Sequence, residues 1–271
     1  MNFEARLRRI RHVVMDMDGT IYMGSRIFPY TLDFLRGLEA HGIGYSFLTN
    51  NPTRSREDYL RKLSGMGISC TAEQMLTTSQ TALEYVRRHM PAVRRIFILG
   101  TESLQNLFRG AGYILTDEND QEAPDLLIVS FDTTLVYPRL CKAAWWASKG
   151  VPYLATNPDR VCPTEEETVL VDCGSLQHCI EYATGRKADI VLGKPDPTML
   201  HELEAELGLE RDEVAMIGDR VYTDIAMARN AGALPVLVLS GETTPELAKQ
   251  ACLEGDLVVP DLAAFGEMLN L

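Results

Sequence analysis

The segment from Val13 to Gly24 restricts the fold of this chain most. In it a short apolar run leads into Asp16, Asp18 and Gly19-Thr20. Apolar runs of this length, closed by turn residues, read as buried strands. Alternate residues of a strand share a face, so the period places Asp16 and Asp18 on one side at the strand's C-terminal end. In open parallel α/β sheets that end faces the ligand crevice. Two carboxylates so close repel one another unless a cation or protons offset them. A surface turn tipped by Asp18-Gly19 is the competing reading, and the rest of the chain decides between the two.

The same alternation of apolar run and helical pattern continues to the end of the sequence. A stripe of Leu32, Leu35 and Leu38 is followed by a run ending in the polar turn Thr49-Asn50-Asn51-Pro52. Helical patterns from Ser55 to Met66 and from Ser79 to Met90 come next. A second round places strands at Ile96–Gly100, Leu126–Phe131 and Val151–Thr156, with helices at Glu102–Gly110, Tyr137–Lys149 and Cys173–Thr184. Asn157 to Glu167 reads as a loop ending in the acidic run Glu165-Glu166-Glu167. A third round starts at Ala188, and its strand from Ile190 runs into Gly193-Lys194-Pro195-Asp196, where Asp196-Pro197 caps a helix. It continues with the strand Val214–Gly218 ending in Asp219, a helix from Thr223 to Ala231, and two further strand–helix pairs. Strand, helix, strand repeated in this way predicts an α/β fold with a parallel sheet.

Composition removes several classes of function. A net charge of −12 over 271 residues argues against a nucleic-acid partner or an anionic membrane. No apolar run approaches the ~20 residues of a spanning helix, and Met1 to Arg11 has no apolar core of a signal peptide. The six cysteines form no Cys-x-x-Cys pair, which predicts reduced thiols in a cytoplasmic protein. No Gly-x-Gly-x-x-Gly follows the first strand, so a dinucleotide-binding oxidoreductase is excluded.

Four polar clusters each follow an apolar strand: Asp16-Met17-Asp18-Gly19-Thr20, Thr49-Asn50-Asn51, Gly193-Lys194-Pro195-Asp196, and Gly218-Asp219-Arg220 with Asp224 five residues beyond Asp219. Together they offer carboxylates, a hydroxyl, turn amides and a lysine. Such a set suits phosphoryl transfer: a carboxylate attacks phosphorus, a second acts as acid and base, and Mg²⁺ takes oxygen ligands. The sequence resembles the haloacid dehalogenase (HAD) superfamily, specifically the NagD-like phosphatases of the 4-nitrophenylphosphatase type, along essentially its whole length and in motif order. The resemblance implies Asp16 as nucleophile, forming an aspartyl-phosphate, and Asp18 as general acid and then base. It implies Mg²⁺ held by Asp16, the backbone carbonyl of Asp18, and Asp219. Thr49 and Asn50 would bind phosphate oxygens and Lys194 would neutralise charge. Asp224 would either orient Lys194 or stand behind the metal's ligands, and Gly19 and Asn51 would support the loops.

Spacing refines the domain plan. Asp18 to Thr49 is 31 positions (49 − 18), filled by one loop and one helix, whereas Asn50 to Lys194 is 144 (194 − 50). In the family's terms the longer interval holds a class-two cap. The expected plan is a discontinuous Rossmann-like core of residues 1–92 and 187–271, with an inserted α/β cap domain at 93–186. Asn157 and Asp159, in the loop Thr156-Asn157-Pro158-Asp159, could reach the leaving group from the cap. The expected function is hydrolysis of small phosphorylated metabolites, with no nucleic-acid or membrane partner, and a cap-mediated homodimer accords with the resemblance. Two alternatives stand beside it. A non-enzymatic phosphometabolite-binding protein would dispense with Asp16, Lys194 or Asp219, all of which are present. A dehalogenase would typically lack the acid at position 18.

Overall fold

The computed structural model describes residues 3–162 and 168–271, so the run Glu165-Glu166-Glu167 lies outside the described residues. The chain divides into two compact units, the first made of Met1–Thr49, Glu57–Leu76 and Lys194–Leu271, the second of Asn50–Arg56 and Thr77–Gly193.

The first unit is built on a six-stranded sheet in the order Leu257–Val259, Leu234–Val238, Val214–Gly218, His12–Met15, Gly44–Thr49, Met75–Thr77. Its central strands pair in parallel, with Met15 level with both Ile217 and Phe47. Every residue of His12–Met15, Val214–Gly218 and Leu234–Val238 is buried. Strands covered on both faces read as continuous apolar runs rather than alternating ones. The alternation survives in where the side chains go. Val13 and Met15 pack with Phe34, Leu38, Phe47 and Phe265. Val14, pointing the other way, packs with Leu48, Met199, Leu203, Met216 and Met227. Each such fully buried side chain contributes roughly 1.5–3 kcal/mol to folding.

The second unit carries its own five-stranded parallel sheet, ordered Ile190–Val191, Tyr153–Ala155, Leu126–Val129, Arg95–Leu99, Ile114–Thr116. Phe97, Leu99, Leu127 and Val129 meet Ala143, Trp146, Leu176 and Ile180 on one face. Ile96, Ile98, Leu126 and Ile128 meet Ala82, Leu83, Val86, Leu104 and Phe108 on the other. The second cluster moves the domain boundary expected from sequence. The helix Thr78–His89 buries its apolar stripe on this sheet, so the unit's long segment begins at Thr77 rather than at residue 93. At its far end Ile190 pairs with Leu154, extending the unit from 186 to Gly193.

The long elements lie where the periodicity places them. The pieces that periodicity misses are two or three residues long: the strands Met75–Thr77 and Ile114–Thr116, and the hairpins Tyr22–Met23 with Arg26–Ile27 and Val161–Cys162 with Leu170–Val171. The last hairpin occupies part of the expected 157–167 loop. All six cysteines are free thiols. Among the described residues no helix is long and apolar enough to cross a membrane.

One buried polar pair lies inside the first sheet. The ring Nε2 of His12 is 2.9 Å from Ser46 Oγ, and His12 is almost wholly buried. Burial pushes its imidazole down from 6.5 to about 4. The folded chain therefore binds fewer protons than the unfolded one between those values. The stabilisation this represents is complete above pH 6.5 and lost as pH falls toward 4. Against a His12→Gln variant, which does not titrate there, the wild-type chain is expected to lose about 2 kcal/mol of unfolding free energy between pH 7 and pH 4.5. Urea denaturation followed by circular dichroism at the two pH values measures this, and a constant gap between the two proteins would rule it out.

Candidate active site

Sheet register assembles the site. Because Met15 is level with both Ile217 and Phe47, the three strands run out together, delivering Asp16, Asp219 and Thr49 to the same sheet edge. Asp16 still donates its N–H to Ile217 O at 2.8 Å, and then the chain turns. Met17 O accepts from the N–H groups of Thr20 at 3.2 Å and Ile21 at 2.9 Å. The strand period thus stops at Asp16, and the shared face expected for Asp16 and Asp18 does not form as a strand face. Asp16 is held in a cluster, whereas Asp18 is exposed. Gly19 makes the turn possible. Its φ of +83° is left-handed, and a Cβ there would lie 2.5 Å from Asp219 Oδ2.

Asp16, Asp219 and Asp224 each offer an oxygen within 4.8 Å of the others. Lys194 enters this cluster, its ammonium paired with Asp16 and, at 2.6 Å, with Asp224. Lys194 is 4% exposed and Asp224 fully buried. Asp224 sits in a π-helical turn, Val221–Ile225, rather than in the first turn of a regular helix. Its Oδ2 accepts from the Arg220 N–H at 3.0 Å. Gly218 makes room for it, since a Cβ there would lie 2.2 Å from the Asp224 side chain. Asp224 thus pairs with Lys194 and stands in the same cluster as Asp16 and Asp219.

Three carboxylates face one ammonium, and the electrostatics follow. Burial pushes the Asp16 carboxyl up to about 6; Lys194 opposes the rise and Asp224 adds to it. Burial, then Asp16 and Asp224, push Asp219 up to about 7. Burial works against the charge of Lys194, but Asp16 and Asp224 outweigh it and hold the ammonium firmly protonated. Asp219 Oδ2 accepts from the Glu242 N–H at 2.6 Å. Its Oδ1 is buried and accepts no hydrogen bond. An orphaned carboxylate oxygen among excess negative charge is the donor set of a hard divalent cation.

The other expected site residues divide between the units. Thr49 closes its strand and is buried. Asn50 belongs to the second unit, where its Nδ2 donates to Asp159 Oδ2 at 3.0 Å and its carbonyl accepts from Thr78 Oγ1 and Asn157 Nδ2. Asn51 folds its own loop, Oδ1 accepting from the Thr53 N–H and hydroxyl. Asn157 is wholly buried. Its Nδ2 goes to Asn50 and its Oδ1 accepts from the Asp159 N–H, so it braces the loop instead of projecting toward a leaving group. Asp196 caps the next helix one residue further out than expected, accepting from the Thr198 N–H at 3.0 Å. Sequence reading passed over the loop Ser240-Gly241-Glu242 after the strand Leu234–Val238. Its signal was available: a polar turn at the end of an apolar run, as in the four recognised clusters.

Comparison with known proteins agrees with this geometry. Residues 13–114 match the model of the haloacid dehalogenase-like hydrolases, and residues 191–265 match a second model of HAD-hydrolase-like proteins. The crystal structure of a 4-nitrophenylphosphatase from Thermotoga maritima is 38% identical, with a TM-score of 0.89 over 97% of this chain and 98% of that one. An acid sugar phosphatase of Staphylococcus aureus is 29% identical over 89% of this chain and 90% of its own length. A glycerol phosphate phosphatase from Mycobacterium tuberculosis, solved in complex with magnesium, is 26% identical, with a TM-score of 0.85 over 96% of this chain and 78% of that one. With three strand ends converging on one buried carboxylate cluster, and with these matches along nearly the whole sequence, the chain belongs to the haloacid dehalogenase-like hydrolases, in their NagD-like phosphatase branch.

Proposed function

We propose that this protein is a Mg²⁺-dependent phosphatase that hydrolyses small phosphomonoesters through an aspartyl-phosphate on Asp16. The observation that carries the reading is the buried cluster of Asp16, Asp219 and Asp224 around Lys194, with Asp219 Oδ1 left without a partner. Lone buried charges are costly, so so many acids in one place serve a cation and a phosphate. Relatives named for 4-nitrophenyl phosphate, sugar phosphate and glycerol phosphate support the substrate class, and the magnesium in one of them supports the metal.

Asp16, Asp219 and the backbone carbonyl of Asp18 would hold the ion. When bound it supplies positive charge that offsets the carboxylates and the phosphoryl oxygens. Asp16 attacks phosphorus and the phosphorus–oxygen bond to the leaving group breaks. Asp18, exposed and so reachable by a proton donor, gives that oxygen its proton. It then takes one from the water that cleaves the acyl phosphate. Lys194 fixes the orientation of Asp16 and balances the charge gathering on the phosphoryl group. Thr49 and Asn50 hold phosphate oxygens. The inserted second unit takes the part of the class-two cap.

Asp16→Asn keeps shape and removes the nucleophile. Turnover of a phosphomonoester panel with Mg²⁺ is expected to fall at least about a thousandfold, with melting little changed. A wild-type protein that binds phosphate compounds but releases none would favour a binding role instead. Asp18→Asn separates acid catalysis from attack. Its loss should reach roughly 10²-fold or more on alkyl phosphates and be smaller on 4-nitrophenyl phosphate, whose leaving group needs little protonation; equal losses on both would remove Asp18 from the acid role. Protons on Asp16 and Asp219 compete with the cation, and both carboxyls sit high. Mg²⁺ affinity measured by calorimetry should therefore climb as pH rises through 6 to 7 and level off above. A flat profile from pH 5 to 8 would contradict this.

A further inference from the structure

Arg220 follows Asp219 directly, and nothing in the reaction just described uses it. Its side chain is mostly buried, 21% exposed, and its guanidinium charge is felt by Asp16 and Asp219 as well as by Glu242. It is a second cation at the edge of a cluster that Lys194 already enters. A guanidinium is rigid, permanently charged and shaped to bind carboxylates two-handed. Asp219, its neighbour in the chain, feels that charge, and its Oδ1 has no hydrogen-bond partner. The ion pair of Arg220 among the described residues is instead with Glu242, Nε to Oε2 at 2.8 Å.

Glu242 is placed from several sides. Its other oxygen, Oε1, accepts from the Tyr222 hydroxyl at 2.8 Å. Its backbone N–H donates to Asp219 Oδ2 at 2.6 Å, and the next residue but one on the same loop side, Ser240, donates its hydroxyl to Gly19 O at 2.7 Å. The Thr243 N–H donates to Asp219 O at 3.2 Å. The loop passes so close that a Cβ on Gly241 would lie 2.1 Å from Asp219 Oδ2. A loop bonded both to the turn after the nucleophile and to the third acid is built in register with the site.

We propose that Glu242 is a positioning residue of this site: through its carboxylate, itself steadied by Tyr222, it holds the Arg220 guanidinium away from Asp219 and so keeps Asp219 Oδ1 free for the metal. The proposal rests on the metal reading given above. The backbone bond from Glu242 to Asp219 is independent of the side chain, so side-chain variants test the guarding role alone.

The test is Mn²⁺ binding, followed by electron paramagnetic resonance of the free ion and by calorimetry, on the full chain without substrate. In Glu242→Gln the amide can still accept from Tyr222 but no longer pairs with Arg220. Its Mn²⁺ dissociation constant is expected to rise roughly tenfold, the scale seen when a group supporting a metal ligand is lost. Adding Arg220→Gln removes the competitor, so the double variant should return toward the wild-type value. A general loosening of the loop would not be rescued in this way. Tyr222→Phe should weaken binding in the same direction by a smaller factor, and it decides the matter if Glu242→Gln melts too low to assay. Unchanged binding in Glu242→Gln, or a double variant as weak as the single one, overturns the guarding role and leaves the phosphatase reading intact. A wild-type protein that binds no Mn²⁺ overturns the metal reading, and this proposal with it.

Discussion

The cluster of acids at the strand ends depends on one buried ammonium. Lys194 lies between Asp16 and Asp224, and without it three carboxylates would share a space with almost no water. Removing one partner of a buried charge pair typically costs 3–5 kcal/mol, because the remaining charge has nothing to offset it. Burial lifts Asp16 and Asp219 well above the ordinary carboxylate range, and the neighbouring acids add to the rise.

The parallel sheet is the device that gathers those charges. Asp16 and Asp219 are separated by about two hundred residues of chain, yet they leave neighbouring strands at the same level because Met15 and Ile217 are register partners. Strand ends set by a fully bonded, fully buried ladder have little freedom, so positional error at the carboxylates is small. Close backbone approaches then fix the side chains: Gly218 gives its space to Asp224, and Gly19 gives its space to Asp219. A methyl group at either place would displace an acid of the cluster.

The two units share a design but differ in what their strand ends carry. In the second unit the strand Tyr153–Ala155 runs into Asn157 and Asp159, whose polar groups are largely spent on the segment that begins at Asn50. That segment, Asn50–Arg56, folds with the second unit, while Thr49 folds with the first. The boundary of the units therefore falls between two adjacent residues of one polar turn.

Sequence alone determined the fold class, the long elements, the order of the four polar clusters and the acids and lysine that converge. These are properties of periodicity and of residue chemistry at strand ends, and both are local. It could not fix the boundary at Thr77, because the stripe Ala82, Leu83 and Val86 says that a helix buries a face and not which sheet receives it. Nor could it separate Asp16 from Asp18, since the period of two ends where the ladder ends. For Asp224 it left two readings open, orienting Lys194 or standing behind the metal's ligands, and Glu242 drew no notice at all. Their roles come from partners far along the chain, Lys194 for the one and Asp219 with Arg220 for the other. Tertiary structure decided those, because an ion pair or a backbone hydrogen bond depends on distance in space, and spacing in sequence carries that information only within an element.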